Sequence, residues 1–278
     1  MVGHESSRSQ QGGVKIQIEL PEGTPPALPV ECSDAYTRAT LAANSHHRYF
    51  QRDRVAASGL IRTGDVRAYL ERCAAAIDRH REYLTRLDAV LGDGDHGDNM
   101  AIGFQAIRDL LGAYPRQTSP GELLRAVGHC LATAVGGASG PLYGTAFIEA
   151  GLVAGSQPEL EWTVIGRMLD AAASGLARRG RCLVGDKTIL DTLRPAADAF
   201  SATHVAGGTA DVDLDLDLDK ALKETVLAAW HGMRSTLPLV ARRGLALRLG
   251  ERSAGHLDPG AVSCFVLLAA IVPPRGRS

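Results

Sequence analysis

The chain has 278 residues, 45% of them hydrophobic and 22% charged, with a formal net charge of −1. That balance builds an ordinary globular core in one large domain or two small ones, and it argues against nucleic acid or an anionic membrane as partner. The five cysteines (Cys32, Cys73, Cys130, Cys182 and Cys264) are scattered and odd in number, which excludes a disulfide framework and reads as buried thiols in the cytoplasm.

Residues 1–62 differ from the rest and are expected to form an N-terminal extension, partly disordered. Residues 1–13 are polar and rich in Gly, Ser and Gln. Val14–Leu20 alternates with period two, as a strand does, and Pro21 ends it. Pro25, Pro26 and Pro29 mark a linker. The His46-His47 pair reads as surface, not as a metal or nucleic-acid site.

From Gly64 the periodicity is helical almost throughout. Val66, Leu70, Cys73, Ile77, Leu84 and Leu87 form a first stripe that leads into Asp88. Met100, Phe104, Ile107 and Leu111 form a second. Leu123, Leu124, Val127, Leu131 and Ala134 form a third, ending at Gly136-Gly137. A fourth starts near Pro141 and carries Phe147, Ile148 and Leu152. Ile165, Met168, Leu169, Ala172 and Leu176 give a fifth, closing near Gly180. Ile189, Leu193, Ala196 and Phe200 give a sixth, and Leu222, Val226, Trp230, Met233 and Leu237 a seventh. After Pro259, Val262, Phe265, Val266 and Ala269 supply the eighth. Short links predict an all-α domain over residues 63–273, an antiparallel up-and-down array of eight helices. The alternating Asp211–Asp219 run mimics a strand, but we expect a loop that delivers Asp219, or a neighbour, as N-cap of the seventh helix.

The stretch Asp88–Met100 packs four aspartates and three glycines between two helices. Asp88, Asp93 and Asp95 would repel one another unless a cation sat between them, and Mg2+ prefers such oxygen ligands together with a substrate's phosphates. The loop empties into a helix N-terminus, which favours an anion. An EF-hand is excluded, because Asp98 and Phe104 stand where its glycine and glutamate belong. This is the pattern of a metal–phosphate site, with a solvated, Asp-rich turn as the alternative, since Asp and Gly are common turn formers.

Three further loops are rich in glycine and polar groups. Gly136–Pro141 is either an anion cradle with the Ser139 hydroxyl as donor, or a helix C-cap with Ser139 as the next N-cap. Gly180–Thr188 nearly matches a phosphate loop, but Asp186 separates Gly185 from Lys187 and no apolar strand precedes it. It either brings Lys187 to a phosphate or uses Asp186 to cap a helix beginning near Lys187. In Gly250–Gly260, Asp258 and Pro259 suit an N-cap and first helical residue. In an up-and-down array the links after helices 1, 3, 5 and 7 gather at one end, and these four loops are those links.

At the same loops the sequence resembles the L subunit, or L domain, of dihydroxyacetone kinase. The resemblance is carried by Leu87-Asp88…Gly92-Asp93-Gly94-Asp95-His96-Gly97…Asn99-Met100, by Gly136-Gly137-Ala138-Ser139-Gly140-Pro141-Leu142-Tyr143-Gly144, by Gly185-Asp186-Lys187-Thr188, and by Leu249-Gly250-Glu251-Arg252-Ser253…Gly255-His256…Asp258-Pro259-Gly260. It implies an eight-helix antiparallel barrel with a nucleotide and metal site at one rim. ADP or ATP would be held through two Mg2+ ions, with Asp88, Asp93 and Asp95 as the metal ligands. His96, Asn99, Met100, Ala138, Ser139, Gly175, Asp258, Pro259 and Gly260 would line the nucleotide, and the residues themselves add Lys187.

The resemblance further implies a kinase without a protein nucleophile, acting as a subunit. A separate K subunit would hold the keto-sugar, dihydroxyacetone or a longer ketose such as erythrulose. The phosphoryl donor is free ATP, or a phosphotransferase-system protein that recharges bound ADP. A homodimer or hetero-oligomer is the expected assembly. Leu245 stands where the family commonly has an arginine, and the tail before Gly64 is longer than the family needs. The alternative reading is a catalytically weak, nucleotide-binding regulatory module of the same fold. A fatty-acid kinase domain shares the aspartate loop but fits the Gly136–Gly144 and Glu251–Gly260 motifs less well.

Overall fold

The computed structural model describes residues 60–206 and 214–271. The expected strand at Val14–Leu20, the proline linker and His46-His47 lie outside these residues. The described chain is mostly helical. In order it runs β1 (Leu60–Arg62), α1 (Thr63–Leu91), α2 (His96–Ala113), α3 (Pro120–Ala134), α4 (Ser139–Ala154), β2 (Glu159–Glu161), α5 (Val164–Gly180), α6 (Leu190–Ala206), α7 (Leu214–Ser235), a 3-10 segment (Leu245–Ser253) and α8 (Pro259–Ala269).

The stripes read from the sequence are the buried faces. On α1, Val66, Leu70, Cys73, Ile77 and Leu84 are buried, and the spiral continues to Asp88 and Leu91, leaving Leu87 half-buried. The start of α1 is closed by the Asp65 carboxylate, which accepts the Arg62 N–H at 2.8 Å. Each helix packs against its successor, and α8 closes on α1 as well as on α6 and α7. Every residue of α8 is buried, as expected of a helix apolar on all sides.

Helices α3 and α4 approach closely through glycines. A Cβ on Gly128 would stand 2.6 Å from the Gly144 carbonyl oxygen, and one on Gly151 would stand 2.7 Å from that of Gly121. Two backbones thus meet with no side chains between them. That contact fixes where the Gly136–Ser139 turn sits.

Several sequence expectations need correction. Helix α7 begins at Leu214, not at a cap on Asp219, because Leu214, Leu218 and Leu222 fall four residues apart, a spacing that also suits a helix face. Helix α6 begins at Leu190, so Asp186 does not cap it; the Asp186 carboxylate instead accepts the Leu183 N–H at 3.0 Å. The N-cap of α4 is Ala138 rather than Ser139. The strands β1 and β2 pair antiparallel, with Ile61 opposite Leu160. They are three residues each, too short to show a period.

Candidate functional site

The acidic loop grows out of the end of α1. Asp88 follows Leu84 on the buried spiral and is only 8% exposed. Its Oδ2 accepts the backbone N–H groups of Gly94 at 3.0 Å, Asp95 at 3.0 Å and His96 at 3.2 Å. One carboxylate thereby turns the chain from α1 into α2. Its other oxygen lies under Gly92, where a Cβ would collide with it. Asp93 and Asp95 are exposed, and one carboxylate oxygen from each of the three lies within 4.8 Å of the others. Burial pushes the Asp88 carboxyl above the usual range, against the pull of the Asp95 and His96 amides, and the Asp93 charge adds to the rise. Mutual repulsion among hard oxygen donors is what a divalent cation relieves, so the residues present suit Mg2+.

Beside the loop, three helices begin: α2 at His96, α4 at Ser139 and α8 at Pro259. His96 ties them together. Its Nδ1 lies 3.2 Å from Ser139 Oγ, and its Nε2 lies 2.9 Å from Ser263 Oγ on α8. Ser263 Oγ in turn lies 2.7 Å from the Tyr143 hydroxyl, and both hydroxyls reach the Gly260 carbonyl. Burial pushes the His96 imidazole down to about 4, so it is neutral at physiological pH. The Asn99 side chain lies against Gly136, where a Cβ would be 2.7 Å from Asn99 Oδ1.

Asp258 caps α8, its Oδ2 accepting the Ala261 N–H at 2.7 Å. The residue is partly exposed but its carboxyl is enclosed. Burial pushes that carboxyl up to about 7, while Lys187 pulls it down and Asp191 and Asp88 raise it further. Gly260 sits tightly on Ile189, with 2.8 Å available where a Cβ would stand. The structure therefore brings Asp88, Asp93 and Asp95 together with His96, Asn99, Ala138 and Ser139, and sets Asp258, Pro259 and Gly260 beside them.

Three expected site residues are placed differently. Met100 is wholly buried in the core. Gly175 lies inside α5, where a Cβ would meet the Glu149 side chain of α4. Lys187 is 1% exposed, and its Nζ donates to the Thr236 and His256 carbonyls, so it does not reach a phosphate at the surface. The near-match to a phosphate loop was misleading because the chain turns at Lys187 (φ 65°) and drives the side chain inward. Leu245 opens the 3-10 segment and is 39% exposed, and the Arg243 guanidinium lies 3.5 Å from the Asp186 carboxylate.

Sequence reasoning missed Tyr143 and Ser263 as members of the site. Ser263 carried a signal: it is the only hydroxyl on the otherwise apolar α8, and a buried hydroxyl needs a partner.

A helical chain with a carboxylate triad, three helix N-termini and glycine-rich turns at one place suits a divalent cation together with an anion. The DAK2 domain model matches residues 90–273. The chain is 37% identical over 207 residues to the ADP-binding subunit DhaL of PEP-dependent dihydroxyacetone kinase 2 from Listeria innocua, covering 73% of this chain and 90% of that one. It is 36% identical to the corresponding DhaL subunit from Escherichia coli, over 72% of this chain and 91% of the other. The L-erythrulose 1-kinase of Mycolicibacterium smegmatis is 34% identical, but this chain covers only 31% of it. The crystal structure of the dihydroxyacetone kinase of C. freundii matches with a TM-score of 0.56 at 24% identity, over 76% of this chain and 34% of that one. The chain belongs to the DAK2 domain family, among the DhaL-type subunits of dihydroxyacetone kinases.

Proposed function

We propose that this chain is the ADP- or ATP- and Mg2+-binding subunit of a dihydroxyacetone-type kinase. It would pass a phosphoryl group to a small keto-sugar held on a separate K subunit. The observation that carries the reading is the Asp88, Asp93 and Asp95 triad, with oxygens within 4.8 Å of one another, joined through His96 to Ser139 and to α8. Two further points support it. The relatives matched along about nine-tenths of their length are named ADP-binding subunits, and a solved relative of the same fold was crystallised with AMP-PNP and Mg2+.

Phosphoryl transfer asks for positioning and charge neutralisation more than for protein nucleophiles. Bound Mg2+, two ions in this proposal, supplies electrostatic neutralisation of the phosphates. The aspartates hold it, and backbone N–H groups at the starts of α2 and α4 face the anion. Neutral His96 orients the Ser139 hydroxyl without adding a charge. Asp258, Pro259 and Gly260 line the nucleotide. The closed ring of helices is read as an eight-helix barrel with this site at its rim, within a domain of residues 63–273 that follows an N-terminal extension of residues 1–62, the last three of which form β1.

Three relatives are named PEP-dependent and one PTS-dependent. Those names favour ADP that stays bound and is recharged by a phosphotransferase-system protein over free ATP. The test mixes the chain with a K subunit, dihydroxyacetone and either donor, and measures sugar phosphate. Product is expected with the phosphotransferase donor; no product with either donor rejects the kinase reading. Exposed Leu245 in the arginine position is what speaks for the regulatory alternative. Tight Mg2+–ADP binding without transfer to any K-bound sugar would select that alternative.

A further inference from the structure

Lys187 is among the largest fully buried side chains of the described residues. It also holds a left-handed backbone conformation, φ 65°, which is costly for a residue with a Cβ. Such a combination persists only where the surrounding structure over-determines it. Its surroundings do so. The Nζ donates to the Thr236 carbonyl at 2.6 Å and to the His256 carbonyl. These belong to two different segments, the end of α7 and the turn before α8. Thr236 is also buried, and its Oγ1 accepts the Asp258 N–H at 3.1 Å. Asp258 then caps α8 through the Ala261 N–H. From the α5–α6 turn, one ammonium therefore reaches both strands of chain that lead into Asp258, Pro259 and Gly260.

Two of its three N–H donors are spent on these carbonyls and the side chain is only 1% exposed, so the head group is not available to a ligand at the surface. Replacing it leaves the Thr236 carbonyl with the Leu239 N–H alone and takes from the two segments the ammonium that joins them.

We propose that Lys187 is a positioning residue for the nucleotide site, bracing the Thr236 and His256 carbonyls and so setting the Asp258–Gly260 turn without touching the nucleotide. This rests on the reading that Asp258, Pro259 and Gly260 line the nucleotide.

The chain has four lysines, Lys15, Lys187, Lys220 and Lys223, which makes amine footprinting decisive. The full-length protein is treated with acetic anhydride, with and without Mg2+–ADP, and modification is read at each lysine by mass spectrometry. Lys187 is expected to stay unmodified in both states while exposed Lys220 reacts. Acetylation of Lys187 in the free protein and its protection by ADP would identify a direct ligand and overturn the proposal.

In parallel, Lys187→Met is expected to weaken Mg2+–ADP binding at least tenfold. Hydrogen exchange should quicken at residues 256–261 and stay unchanged in α1 to α4. Parent-like affinity or parent-like exchange at 256–261 overturns the proposal. Should Lys187→Met fail to fold, Thr236→Ala removes the hydroxyl link to Asp258, along with that hydroxyl's bond to the Met233 carbonyl within its own turn, and leaves Lys187 in place. It should quicken the same amides to a smaller extent, and unchanged exchange there counts against the brace. A parent protein that binds no Mg2+–ADP rejects the nucleotide reading, while the footprint of Lys187 remains readable.

Discussion

At the scale of single residues, the site is a balance between like charges and what offsets them. Asp88 accepts three backbone N–H groups on one oxygen, which offsets part of its burial but none of its repulsion from Asp93. Replacing Asp93 by Asn is therefore expected to leave the metal-free protein at least as heat-stable as the parent. The same variant should lose the rise in melting temperature that Mg2+ with ADP produces. A differential scanning measurement checks both; a variant still stabilised by Mg2+–ADP as the parent is would remove Asp93 from the metal ligands.

Asp258 gives a pH prediction with a definite sign. Burial holds its folded-state carboxyl near 7, above the value of about 3.9 that it has in the unfolded chain. A raised carboxyl contributes stability that is fully present below the unfolded value and is lost as pH rises to about 7. Denaturant unfolding of metal- and nucleotide-free protein at pH 5 and pH 8 should show this loss in the parent. Asp258→Asn keeps the cap and should lose less across the same interval; equal slopes for the two would contradict the enclosed carboxyl.

At the scale of elements, α3 and α4 meet backbone to backbone through Gly121, Gly128, Gly144 and Gly151. Any side chain here forces the helices apart and shifts the Ala138–Ser139 turn that they carry. Gly128→Leu is expected to destabilise by about 1–3 kcal/mol or more, the usual cost of overpacking, and to weaken Mg2+–ADP binding although no ligand touches Gly128. Chemical denaturation and calorimetric titration on the same samples measure the two effects. Gly137, an exposed glycine of the turn itself at φ 64°, costs less when replaced by Asn, a residue tolerated at positive φ.

At the scale of the whole molecule, α8 decides the architecture. It is buried along its whole length, contacts α1, α6 and α7, and presents its N-terminus to the acidic loop. Mg2+ and ADP added together should stabilise the folded chain by about 2.7 kcal/mol at a hundred times the dissociation constant, and chelation of the metal should remove most of that gain. Thermal melts with ADP alone, Mg2+ alone and both together check it; full stabilisation by ADP without metal would separate the nucleotide from the aspartates. Co-purification with a K subunit is the corresponding expectation for assembly.

Much of this was legible in the chain. Apolar residues three and four apart named the eight helices, because burying one face of a helix imposes that spacing on the sequence. Asp88, Asp93 and Asp95 were legible because few other settings place so many carboxylates and glycines between two such stripes. Local chemistry also announced Asp258 before Pro259 as a cap, and the cap is there. What the sequence could not decide was direction. Lys187 reads as a surface cation in a phosphate-like loop, yet a left-handed turn sends it into the core, where carbonyls distant in sequence wait for it. Tyr143 stood in a motif without a role of its own and Ser263 was not singled out, and only the meeting of α4, α8 and the start of α2 in the interior makes them partners of His96. Periodicity reports which face of an element is buried; which buried groups meet depends on contacts between residues far apart in the chain, and only the tertiary structure supplies those.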